Sequence, residues 1–323
     1  MKKTTLCTLF EGHYHYGVAA LSNSLVANGF RGELWAGYRG RLADWITRHE
    51  GYDAGTGQLR LGDGYSLRLV RLDTPLFFAY YKPTFMREVL DQHAPDADVV
   101  AYIDPDIVLQ SAWSDITAWF EGGIGLVEDV NWNLPPRHPK RLMWSAWFAP
   151  HGVVERRTLG RYYNSGFISV PREHADFLTL WGWLCGLVAD YNNGVKHIKA
   201  GDASTLFHST DQDAMNYALM AHEAPLNTAG ADAMDFLDGG YYFSHAIGGA
   251  KPWLGRHVRR ALKGRPPSRA TKAYYRYANH PIQLYSPMQF ALRRMSLGLA
   301  SAIRRLYRKA WRLGPPGGAR ACS

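Results

Sequence analysis

Two carboxylates one residue apart, Asp104 and Asp106 in Tyr102-Ile-Asp-Pro-Asp-Ile-Val-Leu109, are the groups of this chain best placed to do chemistry. Both sides of the pair are apolar β-formers, and the upstream run Asp98-Val-Val-Ala-Tyr-Ile reads as a buried parallel strand. Burying two charges is costly, so they must emerge at the carboxyl end of that strand, where open α/β sheets place their ligands. Pro105 cannot continue a ladder and forces the strand to stop or turn between the acids. Two rigid oxygen ligands aimed into a crevice suit a hard divalent cation that bridges to phosphate oxygens. Taken alone, the pair fits a strand ending in an acidic turn equally well, so other residues must decide.

Three further stretches are polar or glycine-marked where packing does not require it. In Tyr163-Asn-Ser-Gly-Phe-Ile-Ser-Val170, Asn164 offers an amide donor and acceptor at a strand's start, and Gly166 permits close approach of a ligand to the backbone. In Ser209-Thr-Asp-Gln-Asp-Ala-Met-Asn-Tyr217, Asp211 is suited to cap the helix that follows, and Gln212 at its start can turn its amide to a ligand. In Ser244-His-Ala-Ile-Gly-Gly-Ala-Lys-Pro-Trp253, His245 is a potential metal ligand through neutral imidazole. Gly248 and Gly249 let backbone N–H groups reach phosphate oxygens, and Lys251 neutralises charge. That cluster has the composition of a diphosphate grip.

Alternating strands and helices must position these groups. Strands are expected at 4–10, 33–38, 67–72, 98–103, 124–128, 162–170 and 241–245. Helices are expected at 14–28 (closed by Gly29), 44–49, 85–93, 115–121, 174–191 and 210–222, with Trp181 and Trp183 in the core. Residues 51–64 read as a Gly-rich loop and 131–150 as a long irregular stretch of the kind that is usually functional. The alternation implies a doubly wound sheet. Met1–Phe10 superficially resembles the start of a signal peptide, but its apolar stretch is short and meets no cleavage site, so it reads as the first strand.

Charge divides the chain. Of its 37 Lys and Arg and 28 Asp and Glu, 17 bases and no acid fall from Lys251 onward, which leaves 20 bases against 28 acids before it. An acidic body with a wholly basic extension points to an anionic surface as partner. Within the extension, Met288, Leu292, Met295, Leu299, Ile303, Leu306, Ala310 and Leu313 recur at spacings of three and four, with Arg293, Arg294, Arg304, Arg305, Arg308, Lys309 and Arg312 mostly off that stripe. This is the pattern of a helix lying on an anionic bilayer; the alternative is a helix packed on the body with a solvated basic face. Gly314-Pro-Pro-Gly-Gly and the residues to 323 read as disordered. Cys7, Cys185 and Cys322 form no disulfide pattern, which suits a reducing compartment.

The four blocks, in this order, resemble those of glycosyltransferase family 8, the retaining enzymes that include glycogenin and bacterial lipopolysaccharide galactosyl- and glucosyltransferases. Asp104-Pro-Asp106 is similar to its Asp-x-Asp, Asn164-Ser-Gly to its Asn-Ala/Ser-Gly strand, Asp211-Gln-Asp to its Asp-Gln-Asp helix start, and His245-Ala-Ile-Gly-Gly-Ala-Lys-Pro-Trp to its His-x-x-Gly-x-x-Lys-Pro-Trp. The resemblance spans roughly residues 4–255. It implies a GT-A type fold, a Rossmann-like mixed sheet flanked by helices, over 1–254, followed by a basic amphipathic extension over 255–313. It further implies that Asp104, Asp106 and His245 hold Mn2+ (or Mg2+), and that Gly248 and Lys251 contact a nucleotide diphosphate. Asp129, Asn164 and Asp211 would bind the donor sugar, with Lys82 near it. Tyr14 would stack on the base beside Glu11, and Gln212 would lie beneath the anomeric carbon. Where the family often has Asp and Asn near that tyrosine, this chain has Glu11, Gly12 and His13; Pro105 replaces a small residue.

The expected function is therefore transfer of a hexose from a nucleotide-diphosphate sugar, expected to be a UDP-sugar, to a glycan or glycolipid hydroxyl with retention of configuration. A place in cell-surface polysaccharide synthesis on the cytoplasmic face of a membrane would follow, with no nucleic-acid partner. A nucleotide-sugar hydrolase and a non-catalytic, basic-tailed binder of nucleic acid or membrane are the competing readings.

Overall fold

A computed structural model describes residues 2–132, 134–194, 197–237 and 242–313, the last six without their side chains. In chain order the elements are β1 (Thr4–Glu11), α1 (His15–Ala27), β2 (Gly32–Arg39), α2 (Asp44–Thr47), β3 (Tyr52–Asp53), β4 (Gln58–Arg60), β5 (Tyr65–Arg71), α3 (Phe78–Glu88), β6 (Val99–Ile103), β7 (Ile107–Leu109) and α4 (Ser114–Glu121). They continue with β8 (Ile124–Glu128), α5 (Pro139–Phe148), β9 (Tyr163–Pro171), α6 (Asp176–Tyr191), α7 (Thr210–Ala221), β10 (Leu226–Ala229), β11 (Phe243–His245), α8 (His257–Leu262), α9 (Arg269–Tyr277) and α10 (Pro287–Leu313).

Because β1 and β6 are apolar on both faces, they occupy the middle of a nine-stranded sheet in the order β10-β8-β9-β6-β1-β2-β5-β4-β3. β1, β2, β5 and β6 are mutually parallel, whereas β9 runs antiparallel between β6 and β8. β6 is thus parallel to β1 and antiparallel to β9, and the sheet is mixed. The chain winds from β1 outward through β2 and returns to β6 on the other side. The resulting switch point lies at the carboxyl ends of β1 and β6, where such sheets open a crevice. A separate pair, β7 with β11, sets His245 opposite Ile107, next to the second acid of the Asp-Pro-Asp turn.

One core lies between the sheet and α3, α6 and α7, with Phe85, Trp181 and Tyr217 fully buried. The other lies under α1 and α4, around Leu21, Phe30 and Phe120. Trp183, expected in the core, is 48% exposed on the outer side of α6.

Several boundaries differ from expectation. The 51–64 loop contains the hairpin β3–β4, which extends the sheet edge against β5. The helix expected at 85–93 starts seven residues earlier, at Phe78, with Pro83 inside it, and ends in a wider turn over Val89–His93. Lys82 therefore stands on α3 rather than ahead of it. The 131–150 stretch includes α5, which starts beyond Pro135 and Pro136 and is capped by His138 Nδ1 accepting from the Lys140 N–H at 3.2 Å. The extension begins inside the folded body. Tyr274, Tyr275, Tyr277 and Tyr285 form a buried cluster with Ala20 and Trp253, and the buried Asn23 amide donates to the carbonyls of Tyr277 (2.7 Å) and Ile282 (2.9 Å). The disorder expected for 314–323 lies outside the described residues.

Candidate active site

β6 ends at Ile103 and delivers the Asp-Pro-Asp turn. The backbone of that turn is pinned: Asp104 N–H donates to Gly166 O (2.7 Å), and Ala246 N–H donates to Asp106 O (3.0 Å). From the other side α1 packs so closely that any Cβ on Gly17 would overlap the Pro105 carbonyl. Asp104, Asp106 and His245 thereby present ligand atoms that all lie within 4.8 Å of one another. Their chemistry fits the implied ion. Two carboxylates and an imidazole suit a divalent ion such as Mn2+. The buried His245 Nδ1 has no hydrogen-bond partner among the described residues. The wall opposite is Gly166, where a Cβ would stand 2.7 Å from His245 Cε1 and 3.0 Å from Asp104 Oδ2.

Two buried lysines balance the acids. Lys251 pairs with Asp106 and donates to Ala246 O at 3.0 Å; His245 Nε2 lies 3.3 Å from the other Asp106 oxygen. Burial pushes the Asp106 carboxyl up, but Lys251 and His245 outweigh it and hold its pKa well below the carboxylate range. Lys82 lies 3.2 Å from both Asp104 Oδ1 and Asp211 Oδ2, donates to Ser165 O at 3.2 Å, and sits 5.0 Å from the Tyr102 ring centre. Burial lowers its pKa, yet the two acids raise it further, so it stays charged.

The floor of the cleft is a hydrogen-bond network. Asn164 Nδ2 donates to Asp129 Oδ2 at 2.7 Å, and its Oδ1 accepts from Gly166 N–H at 2.9 Å. Gln212 Oε1 accepts from Ser165 N–H at 3.0 Å, while its Nε2 lies 3.4 Å from Asp129 Oδ2. The β8–β9 register shifts beside Val127 and Asn164, a bulge that turns the Asn-Ser-Gly step into the cleft. Asp211 does not cap α7. Asp213 does so, accepting from Ser209 N–H at 2.9 Å and from the Tyr162 hydroxyl at 2.5 Å. Burial pushes the Asp213 carboxyl up to about 6 against those two hydrogen bonds.

The far end is apolar and aromatic. Tyr14 stacks on His13 with ring centres 5.0 Å apart, and Trp253 stands edge-on to Tyr14 at 5.5 Å. Glu11 is clamped by Arg39 through Nε (3.0 Å) and Nη2 (2.8 Å), and Arg39 lies over Phe78.

All twelve residues to which the resemblance gives a role line this single cleft of ≈ 370 Å³, as does Gly166; Gly249 does not. Arg39, Phe77, Phe78, Ser165, Trp132 and Ile198 were not singled out from the sequence. Arg39 had a signal: it faces Glu11 across the β1–β2 register. Trp132 and Ile198 come from long connections without a motif, and nothing in their spacing marks them.

No protein-family model matches the chain, and no curated protein matches it in sequence. Among the 336 solved chains that match it in structure is the apo form of WbbM, a bifunctional glycosyltransferase. Its TM-score is 0.51 at 11% sequence identity, and the match covers 90% of this chain and 52% of that one. This chain thus spans about half the length of that protein. The likeness establishes the fold: a mixed sheet flanked by helices, of the GT-A glycosyltransferase type.

Proposed function

We propose that the chain is a metal-dependent glycosyltransferase that moves a hexose from a nucleotide-diphosphate sugar to a glycan or glycolipid hydroxyl with retention of configuration. One observation carries this reading: three potential cation ligands, a buried lysine and a polar floor converge in one cleft at the sheet's switch point. Mn2+ or Mg2+ held by Asp104, Asp106 and His245 would act there as a Lewis acid toward a leaving diphosphate. Lys251 adds positive charge beside the same phosphates, and the exposed Gly248, at φ 84° with nothing within 4 Å of where a Cβ would stand, lets phosphates approach its backbone. Asp129, Asn164 and Asp211 bind sugar hydroxyls. Tyr14 stacks on the base, and the Arg39-clamped Glu11 accepts from the base edge.

Both acids near the sugar are already committed, Asp211 to Lys82 and Asp129 to Asn164 and Gln212, and an amide such as Gln212 is a poor nucleophile. A front-face reaction, in which the departing phosphate takes the acceptor proton, fits this geometry. Trapping a sugar ester on Asp129 or Asp211 would refute it.

The exposed stripe and basic flanks of α10 suit attachment to an anionic membrane, which supports a lipid-borne acceptor. No described helix is long and apolar enough to cross a membrane.

The test is a panel of nucleotide sugars with Mn2+, read by thermal stabilisation and nucleotide release. One donor should stabilise the protein in a metal-dependent way, with release accelerated by a glycan acceptor. Release that is equally fast without acceptor would make the chain a hydrolase. DNA binding without any nucleotide-sugar effect would make it a basic-tailed binder.

A further inference from the structure

The segment 250–253, which carries Lys251, is gripped from outside by the basic extension. Arg260 on α8 donates to Ala250 O at 3.2 Å. The Tyr275 hydroxyl on α9 donates to Pro252 O at 3.1 Å. Arg293 on α10 donates to Trp253 O at 3.1 Å, reaches the Tyr275 hydroxyl at 3.4 Å, and lies over the Tyr285 ring at 4.4 Å. Three of four successive carbonyls are therefore held by three successive helices. On its inner side the same segment meets the cleft: Lys251 pairs with Asp106, and Trp253 Nε1 donates to His13 Nδ1 at 2.8 Å beside Tyr14.

α10 is built for this contact. Phe290, Arg293, Leu297 and Ala300 recur at spacings of three and four, and this face turns inward: Ala300 is fully buried, and Phe290 and Leu297 pack on the Tyr274–Tyr285 cluster. The stripe of Met288, Leu292, Met295 and Leu299 lies on the other side and is exposed. Arg293 thus has its own function on the helix, apart from the basic flanks of the outer face.

We propose that Arg293 and Tyr275 are positioning residues for the donor clamp: they fix the carbonyls that follow Lys251 and so set where its ammonium stands over a bound diphosphate. The inference rests on the donor-binding reading above. A side chain that must sit within a fraction of an ångström of a phosphate depends on the groups that lock its backbone. A guanidinium donor to a buried carbonyl is among the stronger such locks.

The experiment measures the affinity of the full chain for UDP with Mn2+ by calorimetry, and Tm alongside. The variants are Arg293→Met, Arg293→Lys, Tyr275→Phe and Lys251→Met, with the Arg293→Met/Lys251→Met double. Tyr275→Phe removes one hydroxyl and keeps the ring, so it remains informative if Arg293→Met fails to fold. Arg293→Met and Tyr275→Phe should each weaken MnUDP binding about tenfold, with Arg293→Lys recovering part of the loss. In the Lys251→Met background, Arg293→Met should change affinity less than twofold, because the side chain it positions is gone. Binding by Tyr275→Phe and Arg293→Met within twofold of wild type, or losses that multiply in the double variant, would overturn the proposal. A wild-type chain that binds no MnUDP would instead overturn the donor reading on which it rests.

Discussion

Gly166 shows how much of the Asp104–Asp106–His245 cluster depends on one missing methyl. Its Cβ would lie 2.7 Å from His245 Cε1, 2.8 Å from Asn164 Oδ1 and 3.0 Å from Asp104 Oδ2, so at least one ligand or its partner must move. Gly166→Ala should weaken Mn2+ binding by roughly 10- to 100-fold, the usual cost of disturbing groups that orient metal ligands; Mn2+ titration followed by EPR reads this directly. Asp213 makes a different residue-scale prediction. Its carboxyl titrates near 6 in the fold, above the ordinary carboxylate value of 3.8. A raised carboxylate pKa means that the native state holds the proton more tightly than the unfolded chain. Its contribution is thus fully present below pH ~4 and is lost as pH rises through about 6. Two pKa units correspond to about 3 kcal/mol. Asp213→Asn cannot ionise, so its stability relative to wild type should improve by roughly that amount between pH 4 and pH 8 in urea titrations. A constant difference across that range would show that Asp213 is not held neutral.

Among the elements, α10 makes the clearest prediction. Met288 and Leu306 are 73% and 68% exposed, and Leu292, Met295 and Leu299 are more than half exposed, with Arg294, Arg304 and Arg305 also exposed. A buried leucine contributes about 1.5–3 kcal/mol, and a basic residue near an anionic surface about 1 kcal/mol. Leu292→Gln with Leu299→Gln should therefore cut partition onto phosphatidylglycerol vesicles at least about tenfold while leaving Tm unchanged, as sedimentation would show. Partition equal to wild type would remove the stripe from any membrane role. This helix also marks how far the sequence was legible. Its apolar stripe was visible in the spacing, but not that a second face, led by Phe290 and Arg293, packs on the body. The chemical blocks could be read because glycines, acids and amides at strand ends have few packing uses. α5 was hidden because Pro135 and Pro136 mask a helix that starts just beyond them. β10 was missed because four residues at a sheet edge carry too little pattern. The capping role passed from Asp211 to Asp213 because Lys82, remote in sequence, claims Asp211.

At the scale of the whole molecule, the first part of the basic extension beyond residue 254 packs into the body. A chain ending there loses α9, and with it the burial of Tyr274, Tyr275, Tyr277 and Tyr285 against α1 and Trp253. It also strands the Asn23 side chain, whose amide donates to Tyr277 and Ile282 and whose oxygen accepts from Ile282 N–H at 2.7 Å. Each tyrosine contributes about 1.5–3 kcal/mol by burial, and an unpaired buried amide costs about 1–3 kcal/mol. Together these rival the 5–15 kcal/mol that holds a typical domain folded. A chain ending at Leu254 should therefore lose its near-ultraviolet circular dichroism and its cooperative melt. One ending at Ser286 should keep both and lose vesicle binding. If the shorter chain melts cooperatively within a few degrees of the full one, the basic extension is an appendage after all, and the grip of α8 and α9 on the 250–253 segment contributes nothing to the fold.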